Sequence, residues 1–205
     1  MNDAVVYRDE HLLVLNKPEG LLTTPGRFEK QCLWGIAKRL CPAARVVHRL
    51  DLDTSGLVVF GCTDRAVSGM NRLFRERGID KYYDAVSFGL SKTKVGRIQL
   101  PLGPDRLNRP KQRLDWRGGK SAQTDFEVLD RVGSQSRLLL KPVSGVRHQL
   151  RLHLALIGLP IIGCDLYAPL SVKEASSRLM LHARALRFVH PVTGDPLTID
   201  AGPAF

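Results

Sequence analysis

His48-Arg49-Leu50-Asp51-Leu52-Asp53-Thr54-Ser55-Gly56 runs directly into Leu57-Val58-Val59-Phe60, and Gly61 closes the run. The apolar half, two valines with a leucine and a phenylalanine, has the composition of a short buried strand. The polar half would then feed that strand from a sheet edge or the wall of a cleft. Asp51 and Asp53 are two residues apart, so an extended segment puts them on one face, with Leu50 and Leu52 on the other. That geometry predicts leucines anchored in the core and acids turned toward a cavity, where a carboxylate can act as a nucleophile or a general base. A turn with solvated acids accounts for Asp53-Thr54-Ser55-Gly56 as well, and on spacing alone it is the better account.

Upstream, 4–7 and 12–15 read as two strands. Asn16-Lys17-Pro18-Glu19-Gly20 and Thr23-Thr24-Pro25-Gly26-Arg27 read as turns. Leu33, Ile36, Ala37 and Leu40 keep helical spacing over 30–40, and 45–47 leads into the central motif as a short strand. Downstream, Thr63 or Asp64 can cap a helix reaching Arg77, with Ala66, Met70, Leu73 and Phe74 inward and Gly78 ending it. Its outer face carries Arg65, Arg72, Arg75 and Arg77, a solvated face or a phosphate track. A strand follows over 79–86, with Tyr82 a packing residue.

Residues 91–120 are the least core-like part. Between Arg106 and Lys120, Arg106, Arg109, Lys111, Arg113, Arg117 and Lys120 crowd together with Trp116, and Asp115 is the only acid in that stretch. A loop or hairpin of that composition suits contact with RNA. Next come a hairpin over 122–142 turning at Gly133-Ser134, and a helix opened by Ser144-Gly145 that puts His148, Arg151 and Ala155 on one face and Leu150, Leu154 and Ile157 on another. Ser171-Val172-Lys173-Glu174 reads as a capping box. Residues 179–183 and 187–189 read as a strand pair or one bent strand, and 196–199 as a last strand.

The 205 residues, 43% hydrophobic, are most economically one domain. No apolar run approaches the ~20 residues of a membrane helix. The N-terminus lacks the marks of a signal peptide, which places the chain in the cytoplasm. The four cysteines form no zinc-ligand spacing and read as isolated thiols, so no metal site is expected. Thirty-one Lys and Arg against 20 Asp and Glu, a net charge of +11, point to a polyanionic partner.

The string from His48 to Gly56 resembles the HRLDxxTSG signature of the RluA-type RNA pseudouridine synthases. The resemblance extends to Asn16-Lys17-Pro18-Glu19-Gly20-Leu21, similar to the family's NKPxGL element. It includes Lys81-Tyr82-Tyr83-Asp84-Ala85, similar to KxYxA, and His148-Gln149-Leu150-Arg151-Leu152-His153, similar to HQ(I/L)RxH. Asn108-Arg109-Pro110-Lys111-Gln112 resembles an element of the subgroup nearest RluA itself, which accepts both rRNA and tRNA. Two departures stand out. Gly145-Val146-Arg147-His148 has valine where the family's arginine belongs, and Gly163-Cys164-Asp165-Leu166-Tyr167 has cysteine where its aspartate belongs.

The resemblance implies an α+β fold, a mostly antiparallel mixed sheet flanked by helices with a central catalytic cleft. Residues 1–205 would form a single catalytic domain without an S4 module, with 91–120 a basic RNA-contacting segment inside it. The implied reaction turns uridine into pseudouridine in structured RNA, a large-subunit rRNA hairpin or the tRNA anticodon stem-loop, and needs no cofactor. Asp51 would act on the ribose and Arg151 would pair with it. Tyr83 would stack on the uracil, and Arg49 would fill the place the base vacates. Arg109, Lys111, Arg113, Arg72, Arg75 and His148 would hold the RNA, the chain working as a monomer. Two alternatives stay open. A non-catalytic RNA-binding protein could dispense with Asp51. A metal-dependent nuclease using Asp51 and Asp53 would cleave RNA and lose that activity in EDTA.

Overall fold

Sixteen regular elements follow one another in the computed structural model, which describes residues 4–205. They are β1 (Val5–Arg8), β2 (Leu12–Lys17), α1 (Leu33–Leu40), β3 (Arg45–Val46), β4 (Ser55–Gly61), α2 (Asp64–Glu76), β5 (Asp80–Phe88) and β6 (Val95–Gln99). Then come β7 (Leu102–Pro104), β8 (Gln112–Leu114), β9 (Gln123–Val132), β10 (Gln135–Pro142), α3 (Gln149–Leu156), α4 (Leu170–Glu174), β11 (Leu181–Val189) and β12 (Pro196–Asp200). The fold is α+β, and the named strand pairs within each unit are antiparallel. Met1-Asn2-Asp3, part of the stretch read as carrying no signal peptide, lies outside the described residues. Among the described residues no helix is long and apolar enough to cross a membrane.

The chain divides into two compact units, one taking Lys81 and everything before it with Ala183–Ala204, the other Tyr82–His182 with Phe205. In the first, β1 pairs with β2, β2 with β4, and β3 lies beside the far end of β4. Strands β2 and β4 are apolar on both faces because both are covered. Leu12, Val14, Leu57 and Val59 pack with Ala66 and Met70 of α2, whereas Leu13, Leu15, Val58 and Phe60 pack with Leu33 and Ala37 of α1. Double-sided burial writes a continuous apolar run instead of an alternating one. Gly56 admits β11 at close quarters: its φ is +113°, and a Cβ there would stand 2.3 Å from the Ala183 carbonyl oxygen.

The second unit is built on β5, β10, β9 and β6, paired in that order. One face is apolar, with Ala85, Phe126, Val128, Leu138 and Leu140 meeting Leu150 and Leu154 of α3. The short ribbon β7–β8 hangs from this body through Leu102, which packs with Ala122 and Leu152.

Several local expectations are corrected. Residues 91–120, read as a loop or hairpin, hold the β7–β8 ribbon but also a strand of the main sheet, since β6 pairs with β9 and buries Ile98. The helix carrying the HQLRLH string starts at Gln149, because His148 turns left-handed at φ 55°. It has no polar stripe: every residue from Gln149 to Leu154 is buried. The expected glycine stop of α2 falls one residue early, so Arg77 takes the left-handed position at φ 59°. Ser171 lies inside α4 and caps nothing, Pro169 standing at the N-cap. Of the two readings of 179–189, a strand pair or one bent strand, the single strand holds, over Leu181–Val189.

Candidate active site

Residues 47–54 are a loop between β3 and β4, and the segment after β2 pins it down. The Thr23 hydroxyl donates to the Leu50 carbonyl (3.0 Å) and accepts from the Leu50 N–H (3.2 Å). The Leu52 carbonyl accepts from Gly20 N–H (3.1 Å) and from the Lys17 ammonium (2.7 Å). Lys17 is fully buried, and its other N–H groups go to the carbonyls of Leu21 (2.7 Å) and Pro18 (2.9 Å). Burial pulls its pKa down to about 8, against the opposing pull of Asp53, Asp51 and Glu19. Below that value the ammonium supplies three donors to three carbonyls. Both acids of the loop are near enough to act on this cation, and both are partly buried.

The loop is not extended. The Thr54 N–H donates to the Asp51 carbonyl at 3.3 Å, which closes a turn and breaks the two-residue alternation. Leu50 therefore packs against the core, but Leu52, expected beside it, is 44% exposed. Leu52 contributes its carbonyl, not its side chain. His48 anchors the loop's start: its Nε2 accepts from the Val59 N–H (2.9 Å) and its ring packs on Phe74, centroids 4.7 Å apart. Burial, assisted by the Lys81 ammonium, drives the His48 pKa down to about 4, so the ring stays neutral and Nε2 remains an acceptor. Arg49 is exposed.

In the second unit Tyr83 is partly buried on β5, packed against that unit's core. Arg151 on α3 is 2% exposed. Its Nε and Nη2 each lie 3.4 Å from Cys164 Sγ, its Nη2 pairs with the Asp165 carboxylate, and its guanidinium stands 5.8 Å from the Tyr167 ring centroid. Of the two departures from the family pattern, the Cys164-Asp165 pair thus meets on one arginine. With a thiol at 164, a poor acceptor, the carboxylate one step on carries the charge pairing. Gly163 makes the turn tight enough, at φ +76° with the Arg178 carbonyl where a Cβ would stand. Val146 packs on the small core of Leu102, Ala122 and Leu152, whereas Arg147 is exposed.

His148 is buried, not presented at the surface as a contact to RNA would require. Its Nδ1 lies 2.8 Å from the Tyr167 hydroxyl, which also accepts from the Gln112 N–H at 2.7 Å. This chain of bonds ties β8 to the start of α3. Sequence reasoning misses it, and it gives Lys17 no role, although that lysine ends the apolar run of β2 and lies in the NKPxGL-like element. The cationic residues divide between the units. Arg109 and Arg113 are exposed and Lys111 is partly buried on the β7–β8 ribbon, whose loop is braced by Asp105 accepting from the N–H groups of Leu107 and Asn108. On α2, Arg65, Arg72 and Arg75 line an open groove of about 640 Å³ with Ser68, Asn71 and Pro191.

Comparison with known proteins agrees with the resemblance. The model of the RNA pseudouridylate synthase family matches residues 11–156. The dual-specificity RNA pseudouridine synthase RluA of Escherichia coli is 41% identical over 204 residues, covering 98% of this chain and 93% of that protein. Its counterpart in Haemophilus influenzae is 42% identical over 207 residues, with the same coverage. Among solved structures, human RNA Pseudouridylate Synthase Domain Containing 1 superposes with a TM-score of 0.86 at 28% identity, over 98% of this chain and 84% of that one. Human RNA Pseudouridylate Synthase Domain Containing 4 gives 0.79 at 25%, over 98% and 88%.

Proposed function

Because the chain belongs to the RNA pseudouridylate synthase family and isomerises uridine to pseudouridine in RNA, we propose that it acts on two RNAs, a large-subunit rRNA hairpin and the tRNA anticodon stem-loop. The observation that carries this reading is identity of 41–42% over 98% of the chain to enzymes of dual specificity. It acts in the cytoplasm as a monomer.

Asp51 acts on the ribose of the target nucleotide, by attack at C1′ or by taking the proton from C2′. Either route breaks the C1′–N1 bond. The detached uracil turns and C1′ bonds to C5, with release of the Asp51 carboxylate from C1′ or return of the proton to C2′; C5 then loses its proton and N1 gains one, so the product is an isomer of the substrate. A carboxylate that must approach C1′ needs a fixed loop, and the bonds from Lys17, Gly20 and Thr23 support that role. Arg151 is the cation we assign to the catalytic carboxylate, itself steadied by Asp165. Tyr83 stacks on the uracil, a contact worth ~1–3 kcal/mol. Extruding the target costs a few kcal/mol, least in a loop, and Arg49 fills the space left behind. Arg109, Lys111 and Arg113 hold phosphates beside the loop, and Arg72 and Arg75 hold them along α2. His148 acts through Tyr167, placing the β7–β8 ribbon instead of touching the RNA.

The test gives the purified protein, without other factors, a synthetic anticodon stem-loop and the isolated rRNA hairpin. Both should be converted. Asp51→Asn, nearly isosteric but never ionised, should show no detectable turnover and keep most of its RNA affinity. Pseudouridine from that variant overturns the assignment of Asp51. Conversion of only one RNA overturns dual specificity, and RNA cleavage abolished by EDTA would mark a nuclease instead.

A further inference from the structure

We infer that Trp116 is a stacking platform for an unpaired base of the substrate RNA, other than the target uridine; the inference rests on the synthase reading above. The chain has two tryptophans. Trp34 is accounted for within the fold: its indole N–H donates to the Ala44 carbonyl at 2.8 Å, and the Lys38 ammonium lies 4.4 Å from its ring centroid. Trp116 is 70% exposed and, among the described residues, makes no side-chain hydrogen bond, ring contact or cation–π contact. An indole left in water forgoes the largest apolar burial any side chain offers, and a fold gains nothing by it.

Its mounting is rigid. The Asp115 carboxylate accepts from the N–H groups of Arg117 (3.1 Å) and Gly118 (3.0 Å), and the Asp115 carbonyl accepts from Gly119 N–H (3.0 Å). The Asp115 N–H in turn donates to the Pro101 carbonyl at 2.9 Å, and Lys120 and Leu102 exchange backbone bonds of 2.8 and 3.0 Å just beyond. No Cβ could stand at Gly119, which would place one 2.3 Å from the Asp115 carbonyl oxygen. The indole is therefore carried on a turn whose backbone is held on both sides, at Asp115 and from Arg117 to Lys120, so presenting it costs little ordering on binding.

The surroundings select the occupant. Arg113, Arg117 and Lys120, all exposed, flank Trp116 along the chain and suit a phosphate backbone. A duplex offers phosphates but hides its base faces; a hairpin loop offers both. An aromatic face among cations matches the way unpaired nucleotides are bound, with stacking on the base and charge on the backbone. The Asp115 turn leads directly back from β8, the strand tied through Gln112 and Tyr167 to α3, so the platform has a fixed relation to Arg151 within the same unit.

The test is an abasic scan. A stem-loop that the wild-type protein converts is made with each loop nucleotide in turn, the target excepted, replaced by an abasic residue, and its dissociation constant is measured for wild type, Trp116→Phe and Trp116→Ala. At one position the abasic change should weaken wild-type binding about 5- to 150-fold, the fold-change equivalent of one base stack. Trp116→Ala should bind the intact RNA weaker by a similar factor and be indifferent to the abasic change at that position alone. Trp116→Phe should retain most of the affinity and the same position dependence. Equal affinity of Trp116→Ala and wild type, as expected were the indole a protein-docking contact, overturns the inference. So does a loss in Trp116→Ala that adds to the abasic loss at every position. Failure of the wild type to form pseudouridine in any stem-loop would instead strike the synthase reading.

Discussion

Lys17 and His48 hold the Asp51 loop by opposite uses of burial. A buried ammonium is expensive, yet here it replaces water for three carbonyls that the loop and the preceding turn would otherwise leave short of donors. The His48 ring is kept neutral, since only an unprotonated Nε2 can accept the Val59 N–H. Its folded pKa, about 4, lies below the ordinary 6.5, so the unfolded chain takes up the proton first. The stability this group contributes is then complete above pH 6.5 and is lost as pH falls toward 4. For a shift of that size the loss is on the order of 2–3 kcal/mol. Urea unfolding of wild type and His48→Gln at about pH 7 and pH 4.5 should show the wild type losing more, because glutamine can accept the same N–H and never titrates. Equal losses in the two proteins would assign the acid sensitivity to other groups.

At the scale of elements, the β7–β8 ribbon is where cation density and rigidity coincide. Replacing Arg109, Lys111 and Arg113 by glutamine should weaken binding to all RNAs alike. It should also flatten the dependence of log affinity on log salt by roughly 0.7–0.9 for each phosphate no longer neutralised. An unchanged slope would move the phosphate track to the groove on α2. What could be read of these elements beforehand follows from how each is covered. Strands β2 and β4 are legible because burial on both faces leaves no polar interruption. Helix α2 is legible because one face is wet and Thr63 caps it, accepting from the Ala66 N–H. Helix α3 is misread because it is buried all round from Gln149 to Leu154, so its arginine, histidine and glutamine mark no outer face. Asp51 and Arg151 are singled out by motifs and not by periodicity. The Leu52 side chain is misplaced because one backbone bond, Thr54 to Asp51, converts an extended run into a turn. Lys17 is missed because a lysine closing a strand ordinarily points to water, and only the three carbonyls around it say otherwise.

For the whole molecule the question is how one chain would serve the two RNAs proposed for it. Its net charge of +11 draws in any polyanion, so charge alone cannot discriminate. Discrimination must come from loop shape, from a few base faces and edges, and from the cost of extruding the target. If those demands are met by one set of residues, the two RNAs are alternative occupants of a single site. Each must then inhibit conversion of the other competitively, raising KM without changing kcat. Where chemistry is slow relative to release, the inhibition constant of each RNA should equal its own KM as a substrate. The two constants should also share one salt dependence, because the same phosphates are neutralised in both complexes. Steady-state rates for the anticodon stem-loop, measured at several fixed concentrations of the rRNA hairpin and then with the roles exchanged, decide this. Lines meeting on the reciprocal-rate axis in both directions support one site. Noncompetitive inhibition, or two clearly different salt slopes, would mean that the RNAs bind different surfaces of the chain and that a shared loop shape is not the basis of its choice.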